Sequence, residues 1–166
     1  GKLVVFIWHR KSYETLMSEF GKTAVGLVGG VSLEDRQKAV DEFQTNDKIK
    51  LFVGNIKSAG TGITLTAAAA TVFLEFGSTA PGHLQAEDRV HRIGQTADSV
   101  MAQYLILENS IEEDSMTTLN KRAKDLEAVI DGTVSSDMFE VEDDMSMATL
   151  KEYIKRKNLN SNKIGE

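Results

Sequence analysis

The chain of 166 residues contains no cysteine, which excludes disulfide bonds and thiolate metal sites. Its three histidines, His9, His83 and His91, are too scattered to predict a set of metal ligands. No apolar run approaches the roughly 18 residues of a membrane span, and no secretory signal pattern opens the chain. We therefore expect a soluble, intracellular protein that holds no metal of its own.

The length of the chain fits one compact domain with a small appended element. It starts on Gly1-Lys2, directly before a predicted strand, and we therefore expect a piece of a longer protein. The acidic formal charge of -6 is unevenly distributed. Residues 125–144 hold eight acidic groups and no lysine or arginine, so the remainder carries a net charge of +2. This balance neither favours nor excludes nucleic-acid binding.

Short apolar runs alternate with helical patterns and glycine-marked turns, which is typical of βαβ units and a parallel sheet. The pattern predicts strands near residues 3–8, 24–28, 50–54, 71–75 and 101–107. It predicts helices near residues 11–20, 32–44, 82–92 and 111–130, with Ser32 as the N-cap of the second. The alanine run 67–70 is read as a helical turn packed closely against the sheet.

Three segments are expected along the chain. We predict an α/β domain over residues 1–132, an acidic linker over 133–145, and a short C-terminal helix with a frayed tail over 146–166. Within the domain, Gly21-Lys22-Thr23 has the letters that end a phosphate loop, but the earlier glycine and the preceding strand are missing. We predict that Gly21 is a helix C-cap and that Lys22 is a surface lysine.

The most informative run is residues 85–96, with Gln85, Arg89 and Arg92 at its centre. If the run is helical, the two arginines lie three apart on one face, one turn after the glutamine. Such a planar, permanently charged pair suits phosphate oxygens. Two alternatives are an exposed amphipathic helix with Glu/Arg pairs, and a buried arginine that pairs with Glu87 or Asp88.

The whole string, Gln-x-x-x-Arg-x-x-Arg followed by Ile-Gly-Gln, resembles motif VI of the Swi/Snf-related ATPases of helicase superfamily two. Residues 3–10 resemble motif IV, Gly29-Gly30 with Ser32, Arg36 and Phe43 resembles the segment after it, and residues 58–67 resemble motif V. The resemblance covers about residues 2–107. It implies the second RecA-like lobe of a two-lobed motor, a parallel β-sheet flanked by helices, here with a C-terminal helical extension. Motif VI is most similar to the annealing and fork-remodelling subgroup and its phage or bacterial relatives.

The resemblance also implies roles for particular residues. Arg89 and Arg92 are expected to act as arginine fingers, with Gln85 orienting the γ-phosphate region. Gly60, Gly62 and Asp88 are expected on the nucleotide side. The expected contacts to the DNA backbone are Arg10, Lys11, Gly30, Ser32, Lys57, Ser58 and Thr64.

The implied ligands are ATP with Mg²⁺, whose metal ligands are expected on the first lobe, and double-stranded DNA. The implied partner is that first lobe of the same polypeptide, so this chain alone should not hydrolyse ATP. The location would be cytoplasmic in a bacterium or phage and nuclear in a eukaryote. Two alternatives remain open: a non-catalytic RecA-like module that binds nucleic acid or protein, and a lobe of an RNA helicase.

The chain departs from the family at one place. Where the family usually has tryptophan, then asparagine or threonine, then proline, this sequence has Ser78, Thr79 and Ala80, with Pro81 displaced by one. An aromatic residue there could stack at the DNA. Its absence puts the coupling of DNA contact to hydrolysis in doubt.

Overall fold

The computed structural model describes residues 1–59, 62–75, 80–130 and 155. Five strands, paired in parallel, form one sheet in the order β2-β3-β1-β4-β5. The strands are β1 (Lys2–Ile7), β2 (Ala24–Leu27), β3 (Leu51–Asn55), β4 (Ala68–Phe73) and β5 (Met101–Tyr104). The α/β class and the parallel sheet predicted from the sequence are confirmed.

Of the five α-helices in the described residues, four overlap helices that the sequence predicts. The helices are α1 (Arg10–Phe20), α2 (Leu33–Thr45), α3 (Ile56–Ala59), α4 (Ala80–Glu87) and α5 (Ile111–Ile130), and a short 3-10 helix (Gly21–Thr23) follows α1. The short helix α3 is the one the sequence pattern missed, because a single turn has too few residues to show a period. No helix in the described part of the chain is both long and apolar enough to cross a bilayer.

The chain divides into two compact units. Residues 1–77 and 81–105 form the first, and residues 78–80 and 106–166 form the second. In the second unit, the hydroxyl of Ser110 accepts a hydrogen bond of 3.0 Å from the backbone N–H of Glu112 and so caps the start of α5. Residues 133–166, apart from 155, lie outside the described residues, so the acidic linker and the terminal helix stay predictions.

The central strands β1 and β3 are buried on both faces, to which their successive side chains point in turn. On one face, Phe6, Phe52 and Phe73 are completely buried and belong to the same cluster as Val40 and Phe43 of α2. On the other face, Val5, Ile7 and Val53 pack against Tyr13, Leu16 and Met17 of α1. Since α1 and α2 cover opposite faces, the unit is the layered, RecA-like arrangement that the sequence predicts.

Helix ends are fixed by local chemistry. The Ser32 hydroxyl accepts the backbone N–H of Asp35 at 3.1 Å, which confirms Ser32 as the N-cap of α2. Gly21 ends α1 with φ 51°, and its N–H bonds to the carbonyl of Met17. The resemblance of Gly21-Lys22-Thr23 to a phosphate loop is therefore accidental, as predicted.

Two expectations about secondary structure were wrong. Residues 68–70 of the alanine run belong to β4, which begins at Ala68, where its backbone pairs with Lys2 of β1. The helix predicted over residues 82–92 ends at Glu87, and residues 88–90 form turns. The reason for this early ending lies in the contacts of the candidate site.

Candidate functional site

The segment after α4, residues 88–97, is called the arginine loop below. An α-helix would continue only if the carbonyl of Arg89 accepted from the N–H four residues later. That carbonyl instead accepts the backbone N–H of Leu65 at 2.8 Å. The N–H of Arg89 bonds three residues back, to Ala86, at 3.2 Å, so the chain tightens into turns. Arg89 and Arg92 consequently do not share a helical face, and the Arg89 carbonyl is bonded to motif V instead of to a further helical turn.

Arg92 is exposed, but hydrogen bonds fix the orientation of its guanidinium. Its Nη1 atom donates to the carbonyl of Ile63 at 3.1 Å and to the hydroxyl of Thr64 at 3.0 Å. These two acceptors lie in motif V, whereas Arg92 lies in motif VI. Within the described residues Arg92 forms no ion pair, so its charge is not neutralised by a carboxylate. A depression of about 370 Å³ opens beside it, lined by the arginine loop and the residues that follow.

Arg89 has a different set of contacts. Its Nε atom donates to the backbone carbonyl of Gln85 at 2.9 Å, one turn earlier, and it also makes no ion pair with a described residue. The side chains of Gln85 and Asp88 are both exposed. The pairing of either arginine with Glu87 or Asp88, one alternative considered from the sequence, is absent from this part of the chain.

Two glutamines that the sequence did not single out organise this region. Gln95 donates from Nε2 to the carbonyls of Ala68 and Val90, at 2.7 Å and 3.1 Å. Gln44 of α2 donates to the Thr66 hydroxyl at 3.1 Å and accepts the N–H of Ala67 at 2.9 Å. No sequence signal other than the motif letter at Gln95 could have found them, because their partners are distant in the chain.

Glycines occur where the backbone takes positive φ. Gly30, Gly62 and Gly94 have φ of 86°, 72° and 100°, a region that side chains with a Cβ rarely adopt. Gly62 is exposed at the centre of motif V. Gly60, the other glycine expected on the nucleotide side, lies outside the described residues, as do Ser78 and Thr79.

A second group of predicted residues meets at the carboxyl edge of the sheet. Strands β2, β3 and β1 are neighbours, so the loops that leave their carboxyl ends lie side by side. Gly30, Arg36, Lys57 and Ser58 line a depression of about 150 Å³ there, called the carboxyl-edge cleft below. The structure therefore brings Gly30, Lys57 and Ser58 together, and their contact with the DNA backbone stays a prediction.

Lys57 and Trp8 form a pair at this edge. The Lys57 ammonium lies 4.7 Å from the centre of the Trp8 ring, a cation-π distance. The Trp8 carbonyl accepts a hydrogen bond of 2.6 Å from the amide of Asn55, at the end of β3. Trp8 is half-buried and also packs against the core.

The other residues predicted to contact DNA are placed differently. Arg10 and Lys11 are exposed on the first turn of α1, and Arg10 pairs with Glu14 at 3.1 Å. The hydroxyl of Ser32 is used in capping α2 and also donates to the Asp35 carboxylate. The Thr64 hydroxyl accepts a hydrogen bond from Arg92 and does not line the carboxyl-edge cleft.

The start of α1 is held by an acid that the sequence did not flag. A single Glu75 carboxylate oxygen accepts the backbone N–H groups of Trp8 and His9, both at 2.7 Å, while its other oxygen accepts the Ser12 hydroxyl at 2.5 Å. Burial alone would raise the pKa of Glu75. The hydrogen bonds from Ser12, His9 and Trp8, and the charge of His9, outweigh burial and lower this pKa below its ordinary value.

A half-buried tyrosine fixes the end of α4. The Tyr104 hydroxyl of β5 donates to the Glu87 carboxylate at 2.6 Å, and its ring stacks on Phe73 with centres 4.4 Å apart. Burial raises the pKa of Tyr104, and the hydrogen bond and the charge of Glu87 raise it further. Among the described residues, no three histidine or acidic side chains gather into a group that could hold a metal ion.

The parallel sheet, its two layers of helices and the contact between motifs V and VI define a RecA-like lobe of the helicase type. Residues 1–94 match the family described as helicase conserved C-terminal domain. The chain belongs to this family. A solved structure of the C-terminal part of the Fun30 ATPase domain has the same fold, with a TM-score of 0.66 over 95% of this chain and 48% of that one, at 23% identity.

Its relatives are of the Swi/Snf-related kind that the motifs predict. A Caenorhabditis elegans protein, the SWI/SNF-related matrix-associated actin-dependent regulator of chromatin subfamily A-like protein 1 homolog, is 36% identical over 93% of this chain and 23% of its own length. The human DNA annealing helicase and endonuclease ZRANB3 is 38% identical over 63% of this chain and 10% of its own length. The chain thus spans less than a quarter of either relative.

Proposed function

We propose that this chain is the second motor lobe of an ATP-dependent DNA translocase. In the whole protein, ATP would be held mainly by a first RecA-like lobe, and Arg92 and Arg89 would reach its γ-phosphoryl group from this lobe. The observation that carries the proposal is the state of Arg92, which is exposed, has no carboxylate partner among the described residues and is oriented by two acceptors of motif V.

The arginines would act on charge rather than on covalent chemistry. In phosphoryl transfer, negative charge is spread over the oxygens of the transferred group in the transition state, and a fixed cation stabilises it. Arg92 meets this need because its guanidinium is held by neutral acceptors and keeps its full charge. Gln85 and Asp88, both exposed beside the arginines, would help to place the nucleotide, and Gly60 and Gly62 would allow its close approach.

Mg²⁺ would accompany ATP, with its protein ligands on the first lobe. The guanidinium donors of Arg92 and Arg89 suit phosphate oxygens rather than a metal ion, because a guanidinium has no lone pair to offer a cation. This division of labour makes hydrolysis conditional on closure of the two lobes.

The carboxyl-edge cleft is proposed to contact one strand of the DNA backbone. Lys57 supplies a positive charge there, and Ser58 and the backbone of Gly30 supply neutral donors, a combination that suits a phosphate without reading its base. Arg10 and Lys11 would extend the strip along the end of β1. Ser32 would contribute by fixing the start of α2, since its hydroxyl already serves as the cap.

Thr64 is proposed to serve the arginine rather than the DNA, because its hydroxyl is bonded to Arg92. The relatives described above are eukaryotic, and one is named as a regulator of chromatin. They favour a nuclear location and give no support to a phage or bacterial one.

The proposal is tested by comparing this chain with the whole protein that contains it. ATP hydrolysis should be undetectable for the chain alone, because the phosphate-loop lysine and the Mg²⁺ ligands belong to the other lobe. The whole protein should hydrolyse ATP, with stimulation by duplex DNA. Stimulation by RNA alone would identify an RNA helicase, and binding of duplex without any turnover would identify a binding module.

A further inference from the structure

The base of the arginine loop is closed by one side chain, the carboxamide of Gln95. Its Nε2 atom donates to the Val90 carbonyl at 3.1 Å and to the Ala68 carbonyl, in the first residue of β4, at 2.7 Å. Its Oε1 atom accepts the backbone N–H groups of Thr96 and Ala97, both at 2.9 Å. Four hydrogen bonds therefore join the two ends of the loop to each other and to the sheet.

The chemistry of these four partners requires a carboxamide. Two carbonyls need donors and two N–H groups need an acceptor, and glutamine offers both at the end of a three-carbon stem. A glutamate of the same shape would place a carboxylate oxygen against the carbonyls of Ala68 and Val90. A methionine would leave all four backbone groups without a side-chain partner.

The residues that Gln95 encloses have little other support. His91, Arg92, Ile93 and Gly94 are all exposed, and Ile93 has 99% of its surface accessible. Inside the loop, the N–H of Arg92 bonds to Val90 and the Arg92 carbonyl accepts the N–H of Gln95. Because Gln95 holds Val90 and is itself fixed to β4, this carboxamide helps to set the position of the Arg92 backbone relative to the sheet, together with the bonds of Arg89 and Arg92 to motif V.

We propose that Gln95 is a positioning residue for Arg92, and that its role is to set the distance between the Arg92 guanidinium and the nucleotide. Gln95 does not touch the nucleotide itself. The inference rests on the proposed function of Arg92. The resemblance includes Gln95 in motif VI but implies no role for it, and the inference supplies one.

The test uses the whole protein with Gln95→Glu, which keeps the size of the side chain and removes both donors. Displacement of a catalytic group by about 1 Å can cost about 10²-fold in rate, so kcat with saturating duplex should fall by about that factor. The KM for ATP and the affinity for duplex should change far less. The matched control is Gln37→Glu, an exposed glutamine of α2 that bonds to Asp41 and to no other described residue, and this variant should keep the full rate.

Two readouts separate positioning from a general loss of structure. In an Arg92→Ala background, Gln95→Glu should cause no further loss of kcat, because the residue it positions is gone. Lowering the pH should reduce the difference in kcat between Gln95→Glu and the unchanged protein, since a protonated carboxyl group can donate again to one carbonyl. An additive loss in the double variant, or a difference that does not depend on pH, would overturn the proposal.

A second variant covers the case in which Gln95→Glu does not fold. Gln95→Met is uncharged and should give the same non-additive loss with Arg92→Ala, with duplex binding as the check of folding. Full activity of folded Gln95→Met would overturn the inference about Gln95. It would leave the proposed function standing, whereas full activity of Arg92→Ala itself would remove the basis of both.

Discussion

The guanidinium of Arg92 and the hydroxyl of Thr64 are joined by a hydrogen bond of 3.0 Å across 28 residues of sequence. A second bond from the same Nη1 atom reaches the Ile63 carbonyl at 3.1 Å, and the Leu65 N–H bonds to the Arg89 carbonyl. Three consecutive residues of motif V thus hold both arginines of motif VI. Any displacement of motif V on its ligand would therefore move the arginines.

Thr64→Val should lower kcat of the whole protein by about tenfold. The substitution preserves shape and removes an acceptor from a charged donor, an interaction of about 1.5 kcal/mol or more, and about 1.4 kcal/mol corresponds to a factor of ten in rate. Thr64→Ser restores the hydroxyl and should restore the rate. If Thr64→Val instead weakens duplex binding with kcat unchanged, Thr64 belongs to the DNA contact and not to Arg92.

Lys57→Ala should weaken the binding of duplexes of any base sequence by the same factor. A single phosphate contact fewer should reduce the slope of log affinity against log salt by about one. The matched control is Lys22→Ala, which removes an exposed lysine of the 3-10 helix after α1, away from the carboxyl-edge cleft. Equal slopes for the two variants would show that the cleft does not bind the backbone.

Glu75→Gln should destabilise the fold in a way that depends on pH. The pKa of Glu75 is lowered in the folded state, so its carboxylate stabilises the protein above its ordinary pKa of 4.5, and this contribution is lost as the pH falls through the folded value. At neutral pH the loss should be about 1–3 kcal/mol, as for hydrogen bonds to a charged group. Urea unfolding followed by the fluorescence of Trp8, the only tryptophan, measures it.

The control for this prediction is Glu14→Gln, which removes an exposed partner of Arg10 on the same helix and should have a much smaller effect. The difference between Glu75→Gln and the unchanged chain should shrink as the pH is lowered below 4.5. A difference that stays constant between neutral and acidic pH would show that the carboxylate is not what holds the start of α1.

Local pattern was enough to predict the sheet and most helices. Strands β1 and β3 are rich in β-branched and phenylalanine side chains, which are buried on both faces of the sheet. Ser32 marks the start of α2 through its capping bond to Asp35, three residues later. These signals depend on neighbours in sequence. The grouping of Gly30, Lys57 and Ser58 was also predictable, because the loops that leave adjacent parallel strands share one edge.

The contacts that shape the arginine loop were not predictable from local pattern. The helical period continues past Glu87, but the Arg89 carbonyl is taken by Leu65, which is 24 residues away and competes with the helix for that acceptor. Gln95 and Gln44 likewise bond to backbone groups of other elements. Every residue has such backbone groups, so the sequence does not show which of them a side chain will contact. Glu75 reaches the start of α1 from the far end of β4 for the same reason.

The central claim, that this lobe supplies the cation for ATP hydrolysis, is tested most directly by kcat of Arg92→Ala in the whole protein at saturating ATP and duplex DNA. We predict a fall of about 10³-fold or more, with much smaller changes in ATP binding and duplex affinity, because the guanidinium acts on charge that develops in the transition state. Arg92→Ala that keeps most of its DNA-stimulated rate would show that Arg92 only ties motif VI to motif V, and would contradict the account.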